Sequence, residues 1–148
     1  MRLSRTLFAI AALMLATLAG AGCDATVVEY IPEGGTYTLT EVQERAVSAD
    51  AHGADGIATD DADEERVDRL VYLRQQGEEA AALADALTAG FPAESAAVPI
   101  LAERGTVDGQ AVWIVVEAWG EPAAKLEHRR LWLLDGRTLQ VVNASSFR

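Results

Sequence analysis

The stretch VPILAERGTVDGQAVWIVVEAW, residues 98–119, decides the fold of this 148-residue chain. It holds two apolar segments rich in β-branched residues, joined by a link with two glycines and an aspartate that is typical of a hairpin. Two more segments of the same kind follow. The four predicted strands are residues 98–104, 110–119, 126–134 and 138–143. The sequence therefore predicts a four-stranded antiparallel meander, with a two-residue turn at Asp135-Gly136 closing the last pair.

The turns predict which residues lie opposite each other in this sheet. Centring the last hairpin on Asp135-Gly136 and closing the preceding one symmetrically over 120–125 fixes the register. The predicted opposite pairs are Trp132–Leu139, Arg130–Val141, Trp113–Trp132 and Glu117–His128. Both faces of the sheet then carry apolar side chains. One face collects Trp113, Val115, Trp132, Leu134, Leu139 and Val141, and the other collects Val112, Ile114, Val116, Leu131 and Leu133.

Residues 64–89 show the periodicity of one long amphipathic helix. Its apolar stripe follows alternating spacings of three and four residues, and Gly90 and Pro92 then stop it. The stripe consists of Leu70, Leu73, Gly77, Ala80, Ala84 and Leu87. A helix followed by an antiparallel meander is an α+β fold. Since one helix covers one face, the second face needs a cover from residues 26–47 or from a partner chain.

The segment before this helix predicts three weaker elements. Residues 26–31 and 36–40 suggest a short β-hairpin around the turn at 32–35. A short helix over 41–47 follows, with Thr40 and Gln43 as its capping box. Residues 48–63 are small, polar and acidic, which is typical of a disordered linker. We therefore expect a segment of residues 23–63 and an α+β domain of residues 64–148.

Residues 1–22 have the three parts of a secretory signal. Arg2 and Arg5 give a positive start, and the apolar run 7–18 falls short of the ~20 residues that span a bilayer. The small residues 19–22 then precede a cysteine. This order predicts export and removal of the signal.

The end of the signal resembles the lipobox of bacterial lipoprotein precursors, and this resemblance covers residues 1–23 only. It implies cleavage before Cys23, acylation of that cysteine, and anchoring on the periplasmic or extracytoplasmic face of the cell membrane. Gly20 departs from the pattern, because such boxes usually carry an aliphatic residue there. The alternative is ordinary cleavage after the A-x-A-like residues 19–21, which leaves Cys23 as a free thiol.

Composition excludes several kinds of chemistry. With Cys23 acylated, the mature chain has no free thiol, which excludes disulfides, thiolate metal sites and cysteine nucleophiles. Loss of the two signal arginines moves the formal charge from −11 to −13, and residues 24–68 carry thirteen acids against two bases. Because such a chain repels phosphate, nucleic acid is not expected as a partner.

The acidic run before the long helix does not match a calcium loop. Asp61, Asp63 and Glu65 alternate as calcium ligands do, but no glycine follows at the required place and the run leads directly into a helix. We expect capping carboxylates there, and neither a metal nor a cofactor.

The remaining candidate residues lie in the second and third predicted strands. A Glu117–His128 couple could act as acid and base, but such a couple needs a cleft and a third group, and surface pairing is the alternative. Trp119, near a strand end, is predicted to be exposed and to form a binding surface with Arg129 and Arg130. A second surface could be the uncovered face of the sheet.

The sequence therefore favours a non-catalytic, membrane-anchored interaction module of the cell envelope. Its partners would be the membrane, through the lipid, and an envelope protein or a second copy of the chain. The alternative is a small-ligand binder or an enzyme with a pocket between helix and sheet.

Overall fold

The computed structural model of the protein describes residues 27–89 and 96–148. The helices in these ranges are α1 (Leu39–Ser48), α2 (Ala62–Arg74) and α3 (Glu78–Ala89). The strands are β1 (Glu29–Ile31), β2 (Thr36–Tyr37), β3 (Ala96–Val107), β4 (Gln110–Gly120), β5 (His128–Asp135) and β6 (Val141–Phe147). The helices pack on the two faces of one sheet, so the predicted α+β class is confirmed.

The sheet has six strands in the described residues, rather than the predicted four. Its order is β1-β3-β4-β5-β6, with β2 also paired to β3. Strands β3 to β6 form an antiparallel meander, whereas β1 and β2 both run parallel to β3. The predicted N-terminal hairpin is therefore wrong. The connection between β1 and β2 carries the chain forward along β3, held by a 2.7 Å hydrogen bond from the Gly34 amide to the Arg104 carbonyl oxygen.

The single long helix predicted over 64–89 is two helices. α2 ends at Arg74 and α3 begins at Glu78, and between them Gly77 adopts a φ of +130°. That conformation belongs to glycine and cannot continue a helix. The predicted stripe ran through Gly77 without a break, whereas this residue ends the first helix and lets α2 and α3 pack side by side on the sheet.

Helix α1 begins earlier than predicted and has a different cap. It starts at Leu39 with Thr38 as its N-cap, and Glu41 completes the capping box. Thr40 and Gln43, predicted for these roles, lie inside the helix. The backbone amide of Thr38 donates to Glu41 Oε2 at 2.7 Å.

Residues 48–63 are ordered, so the predicted disordered linker is wrong. They contain two 3-10 turns, Ala54–Gly56 and Thr59–Asp61, whose buried residues include Ala54 and Thr59. The amide of Thr59 donates to the Ala124 carbonyl oxygen at 3.1 Å. Small, polar composition alone predicted disorder, but these backbone contacts tie the segment to the connection between β4 and β5.

The predicted register between β4 and β5 is wrong by two residues. The observed opposite pairs are Trp113–Leu134, Val115–Trp132, Glu117–Arg130 and Trp119–His128. The connection is longer than predicted, because the amide of Leu126 donates to Ile57 and Leu126 is buried outside the strand. An even shift leaves the side chains of β4 and β5 on their predicted faces.

The predicted two-residue turn at Asp135-Gly136 is also wrong. The Oδ1 atom of Asp135 accepts hydrogen bonds from the backbone amides of Arg137 (2.9 Å) and Thr138 (2.8 Å), which builds a longer loop. Leu139 closes this loop with a φ of +57°. The opposite pairs that follow are Leu134–Val141, Trp132–Ala144 and Arg130–Ser146.

Both faces of the sheet are covered. We call the side packed against α1 the α1 face and the other the α2/α3 face. Val42 and Ala46 of α1 lie in one cluster, and Leu70, Leu73 and Leu87 of α2 and α3 lie in the other. The α1 face contributes Val112, Ile114, Val116, Leu131 and Leu133, and the α2/α3 face contributes Trp113, Val115 and Leu134. Of the two covers considered for the second face, residues 26–47 supply it through α1.

Candidate functional site

Glu117, one of the candidate residues, is buried inside the fold. Its side chain lies on the α2/α3 face and Glu117 is 1% exposed. Its Oε1 accepts from Nη1 of Arg66 at 2.6 Å, and its Oε2 accepts from Nε1 of Trp132 at 2.8 Å. Arg66 also donates to the carbonyl oxygens of Ala97 and Leu87. Both carboxylate oxygens therefore serve to fix α2, β4 and β5 together.

His128 does not lie opposite Glu117, so the predicted cross-strand couple does not form. It lies opposite Trp119, and the two rings are tilted at 48° with centroids 4.9 Å apart. Arg130 takes the place opposite Glu117. The ion-pair partner of Glu117 is Arg66, whereas the acid–base hypothesis required a histidine.

Trp119 is 5% exposed, so the prediction of an exposed ring is wrong. Strand β4 continues past Trp119 to Gly120. The Nε1 atom of Trp119 donates to the Arg129 carbonyl oxygen at 3.0 Å. Arginines cover the ring faces. The guanidinium carbon of Arg130 lies 5.1 Å from the Trp119 ring centroid, and that of Arg148 lies 5.6 Å from it.

Arg130 also lies 5.7 Å from the ring centroid of Trp132. It therefore stands between two indole rings, and we call Trp132, Arg130, Trp119 and Arg148 the tryptophan–arginine row. Each such cation–π contact contributes about 0.5–1 kcal/mol at an exposed site and more when desolvated. The row stabilises the end of the sheet and leaves little of the Trp119 ring open to a ligand.

Arg129 lies on the opposite side of the sheet from the other four candidates. Its guanidinium donates to both oxygens of Asp55, at 2.8 and 3.2 Å, and so ties the first 3-10 turn to β5. Phe147 lies opposite it and packs on the α1 face. The five candidates are therefore neighbours along the chain and the ladder, but they do not share one surface.

A second buried carboxylate, which sequence reasoning missed, lies on the α1 face. Glu103 is 1% exposed. It accepts from Arg45 at 2.8 and 2.9 Å, from the Tyr37 hydroxyl at 2.7 Å and from the Gly35 amide at 3.2 Å. The hydrogen bond to Glu103, followed by burial, raises the pKa of Tyr37 above its ordinary value. An acid within the apolar run 98–104 was the available signal.

Arg69 is a third buried charge that the sequence did not single out. It is 1% exposed and its Nε donates to Glu65 at 2.6 Å. Its remaining donors reach the carbonyl oxygens of Val27 (2.9 Å), His52 (2.8 Å) and Pro99 (3.3 Å). One side chain thus joins the start of the described chain, the segment before α2 and strand β3.

An open groove of about 370 Å³ lies beside α2. It is lined by Gly56, Ile57, Ala58, Asp61, Glu64, Glu65 and Asp68. This is a surface groove between the 3-10 turns and α2, not a pocket between helix and sheet. Within 27–89 and 96–148, no group of three or more His, Cys, Asp or Glu side chains is placed to hold a metal ion.

Cys23, the candidate lipidation site, lies outside the described residues. No helix in the described part of the chain is long and apolar enough to cross a membrane. In comparisons with known proteins, no protein-family model, curated protein or solved structure matches this chain.

Proposed function

We propose that the protein is an exported lipoprotein, anchored in the cell membrane through acyl chains on Cys23, and that its domain is a non-catalytic interaction module of the cell envelope. The signal-like pattern of residues 1–22 and the lipobox-like position of Cys23 support the anchor. Strand β6 supports the interaction role.

The observation that carries the interaction role is an exposed valine pair on an edge strand. Val141 and Val142 are each 46% exposed at the start of β6, which ends the sheet on one side. No charged side chain occurs between residues 141 and 147. The opposite edge is occupied by β1 and β2, which are only three and two residues long. Because natural proteins usually blunt or charge an exposed edge, an uncharged one with exposed valines is suited to contact another protein.

The contacts of Glu117 and Trp119 favour this role over the alternative of an enzyme or small-ligand binder. Glu117 uses both oxygens in folding contacts, and Trp119 is covered by its neighbours. A general base needs an oxygen that can reach a substrate proton. The Glu117→Gln protein, provided that it folds, should therefore keep the interaction role.

Mass spectrometry of the membrane-extracted protein tests the anchor. We expect a chain that begins at Cys23 and carries the mass of acyl groups on that residue. A chain with an unmodified Cys23 thiol, or one cleaved elsewhere, would contradict the anchor.

Site-directed photo-crosslinking tests the interaction surface. A photoreactive residue at Val142 should give discrete adducts in intact cells. The matched control is Val67, which is 60% exposed on α2 and should give none. An adduct of twice the mass of the chain would identify self-association, and equal labelling from both positions would contradict a specific surface on β6.

A further inference from the structure

Residues that are packed into the fold lie very close to Cys23 in the sequence. Val28 is 1% exposed and belongs to the cluster of the α2/α3 face. The carbonyl oxygen of the preceding residue, Val27, accepts from Arg69 at 2.9 Å. The chain is therefore fixed four residues after Cys23, and the disordered linker that the sequence predicted over residues 48–63 does not separate the domain from it.

Covalent geometry limits the distance between the domain and its anchor. Four Cα–Cα steps span at most about 14 Å when fully extended. This limit holds for any conformation of the residues between Cys23 and Val27. Val27 must therefore stay within that distance of the acylated residue at the bilayer surface.

Val27 lies at one corner of the sheet. It precedes the edge strand β1, and Arg69 Nη1 bridges its carbonyl oxygen to that of Pro99. We call Val27, Glu29 and His52 the anchor corner.

The connection between β5 and β6 lies at the diagonally opposite corner. β6 is the other edge of the sheet, and the Gly136 amide donates to Ala111 at 3.0 Å, near the end of the sheet formed by the β3–β4 turn. We call residues 136–142 the far corner. The corners are separated by four strand spacings of about 4.8 Å across the sheet and by about six residues of about 3.3 Å along the strands. The diagonal between them is therefore roughly 27 Å.

We infer that the anchored domain is held with its anchor corner at the membrane surface and its far corner directed away from it. This inference rests on the anchoring proposed above. Val141 and Val142 then face the aqueous phase, where they are available to the water-exposed part of another protein and not to lipid.

The opposing arrangement, with a helix layer lying flat on the membrane, is disfavoured on two grounds. A helix layer is about 10–12 Å thick, so Val27 would be lifted to nearly the full length of its tether. In addition, the outer surface of α2 and α3 is acidic and is repelled by the anionic lipids of a membrane surface. The exposed acids there include Asp63, Glu64, Asp68, Glu78 and Glu79.

The anchor corner itself gives the membrane no electrostatic attraction. Glu29 and Asp50 flank His52 there, with oxygens 3.7 and 3.8 Å from its ring nitrogens. The lipid on Cys23 must therefore supply the attachment. A mature chain with Cys23→Ser should not bind vesicles of phosphatidylcholine and phosphatidylglycerol.

Fluorescence quenching in vesicles tests the orientation. An azide-bearing residue replaces Glu29 at the anchor corner or Arg137 at the far corner, both of which are exposed, and is coupled to a fluorophore. The acylated full-length product is reconstituted into the same vesicles with a nitroxide on the lipid headgroups. We expect position 29 to lose most of its fluorescence and position 137 to retain nearly all of it.

The controls separate the two proposals. An unmodified Cys23 in cells would refute the anchoring itself, and the geometry would then be measured on the mature chain with its Cys23 thiol coupled to a maleimide phospholipid. Equal quenching at the two positions, or stronger quenching at position 137, would overturn the orientation in either preparation. Vesicle binding by the Cys23→Ser chain would show that the protein surface contributes to attachment. That result would also count against the proposed orientation.

Discussion

The Nη1 atom of Arg69 donates to the carbonyl oxygen of Val27 at 2.9 Å, so a buried helix side chain fixes the first described residue of the chain. The same guanidinium satisfies three backbone carbonyl groups from separate segments. Such a contact holds the N-terminal segment without a disulfide.

Replacing Arg69 should strongly destabilise the fold. Arg69→Met leaves Glu65 and three carbonyl groups without their donor, and we expect the free energy of unfolding to fall by about 3–5 kcal/mol. The matched control is Arg74→Met on the same helix. Arg74 Nε lies 2.9 Å from Asp85 Oδ1 in an exposed ion pair, so the expected loss is below ~1 kcal/mol. Urea denaturation measures both, and equal losses would contradict the role of Arg69.

The Arg66–Glu117 pair should behave as a coupled unit. Glu117→Gln leaves the Arg66 charge without its buried partner, and Arg66→Met leaves the carboxylate, so each should cost about 3–5 kcal/mol. The double replacement should cost clearly less than the sum, because it leaves no unpaired charge. A double-mutant cycle from urea denaturation measures the coupling, and additive losses would show that the pair contributes nothing as a pair.

Tyr37 should ionise at a higher pH than a free tyrosine. The hydrogen bond to Glu103 raises its pKa, and burial and the charge of Glu103 act in the same direction. Since the folded pKa lies above the unfolded one, this contribution to stability is complete below the unfolded pKa and is lost as the pH rises through the folded pKa. NMR titration of the labelled ring carbon measures the shift.

The variants distinguish the cause of that shift. Glu103→Gln should return the Tyr37 pKa toward its ordinary value. Glu79→Gln is the control, because burial and then the charge of Glu79 raise the pKa of Tyr30, whereas Glu79 is not among the groups that shift the pKa of Tyr37. A Tyr37 pKa unchanged by Glu103→Gln would contradict the assignment.

Gly77 should resist substitution although it is exposed. A side chain at its φ of +130° is strained, so Gly77→Ala should lower the free energy of unfolding by about 1–3 kcal/mol. The control is Gly56→Ala, since a Cβ there meets nothing within 4 Å. Thermal unfolding followed by circular dichroism compares them, and a stabilised Gly77→Ala protein would show that the two helices prefer to fuse.

Alternation of apolar residues predicted the two faces of the sheet, because burial imposes the period of two whatever the register. Leu131 and Leu134, for example, lie on their predicted faces even though β5 is shifted by two residues. The register depended on the connections, where Leu126 and Asp135 make hydrogen bonds that local pattern does not reveal. The parallel docking of β1 likewise depends on contacts with a strand far along the chain. The break at Gly77 depends on a backbone conformation that the helical periodicity of its neighbours does not reveal.

The candidate site was predicted less well, because a charged residue in an apolar strand has two opposite explanations. Glu117 follows a run of buried residues, and the sequence suggested a functional role for it. Its partner, Arg66, lies on another element, and nothing in the spacing of the two residues predicts their contact. Glu103 and Arg45 present the same problem on the other face.

The parallel pairing of Glu29 with Leu101 also constrains the order of folding. β1 is made early in synthesis, yet its hydrogen-bonding partners belong to a strand that is made much later. Local helices and the β3–β4 hairpin form without closing this long loop, so we expect the N-terminal strand to dock after them. The corner of the sheet that holds Val27 is therefore completed last, after the hairpin and the helices around it have formed.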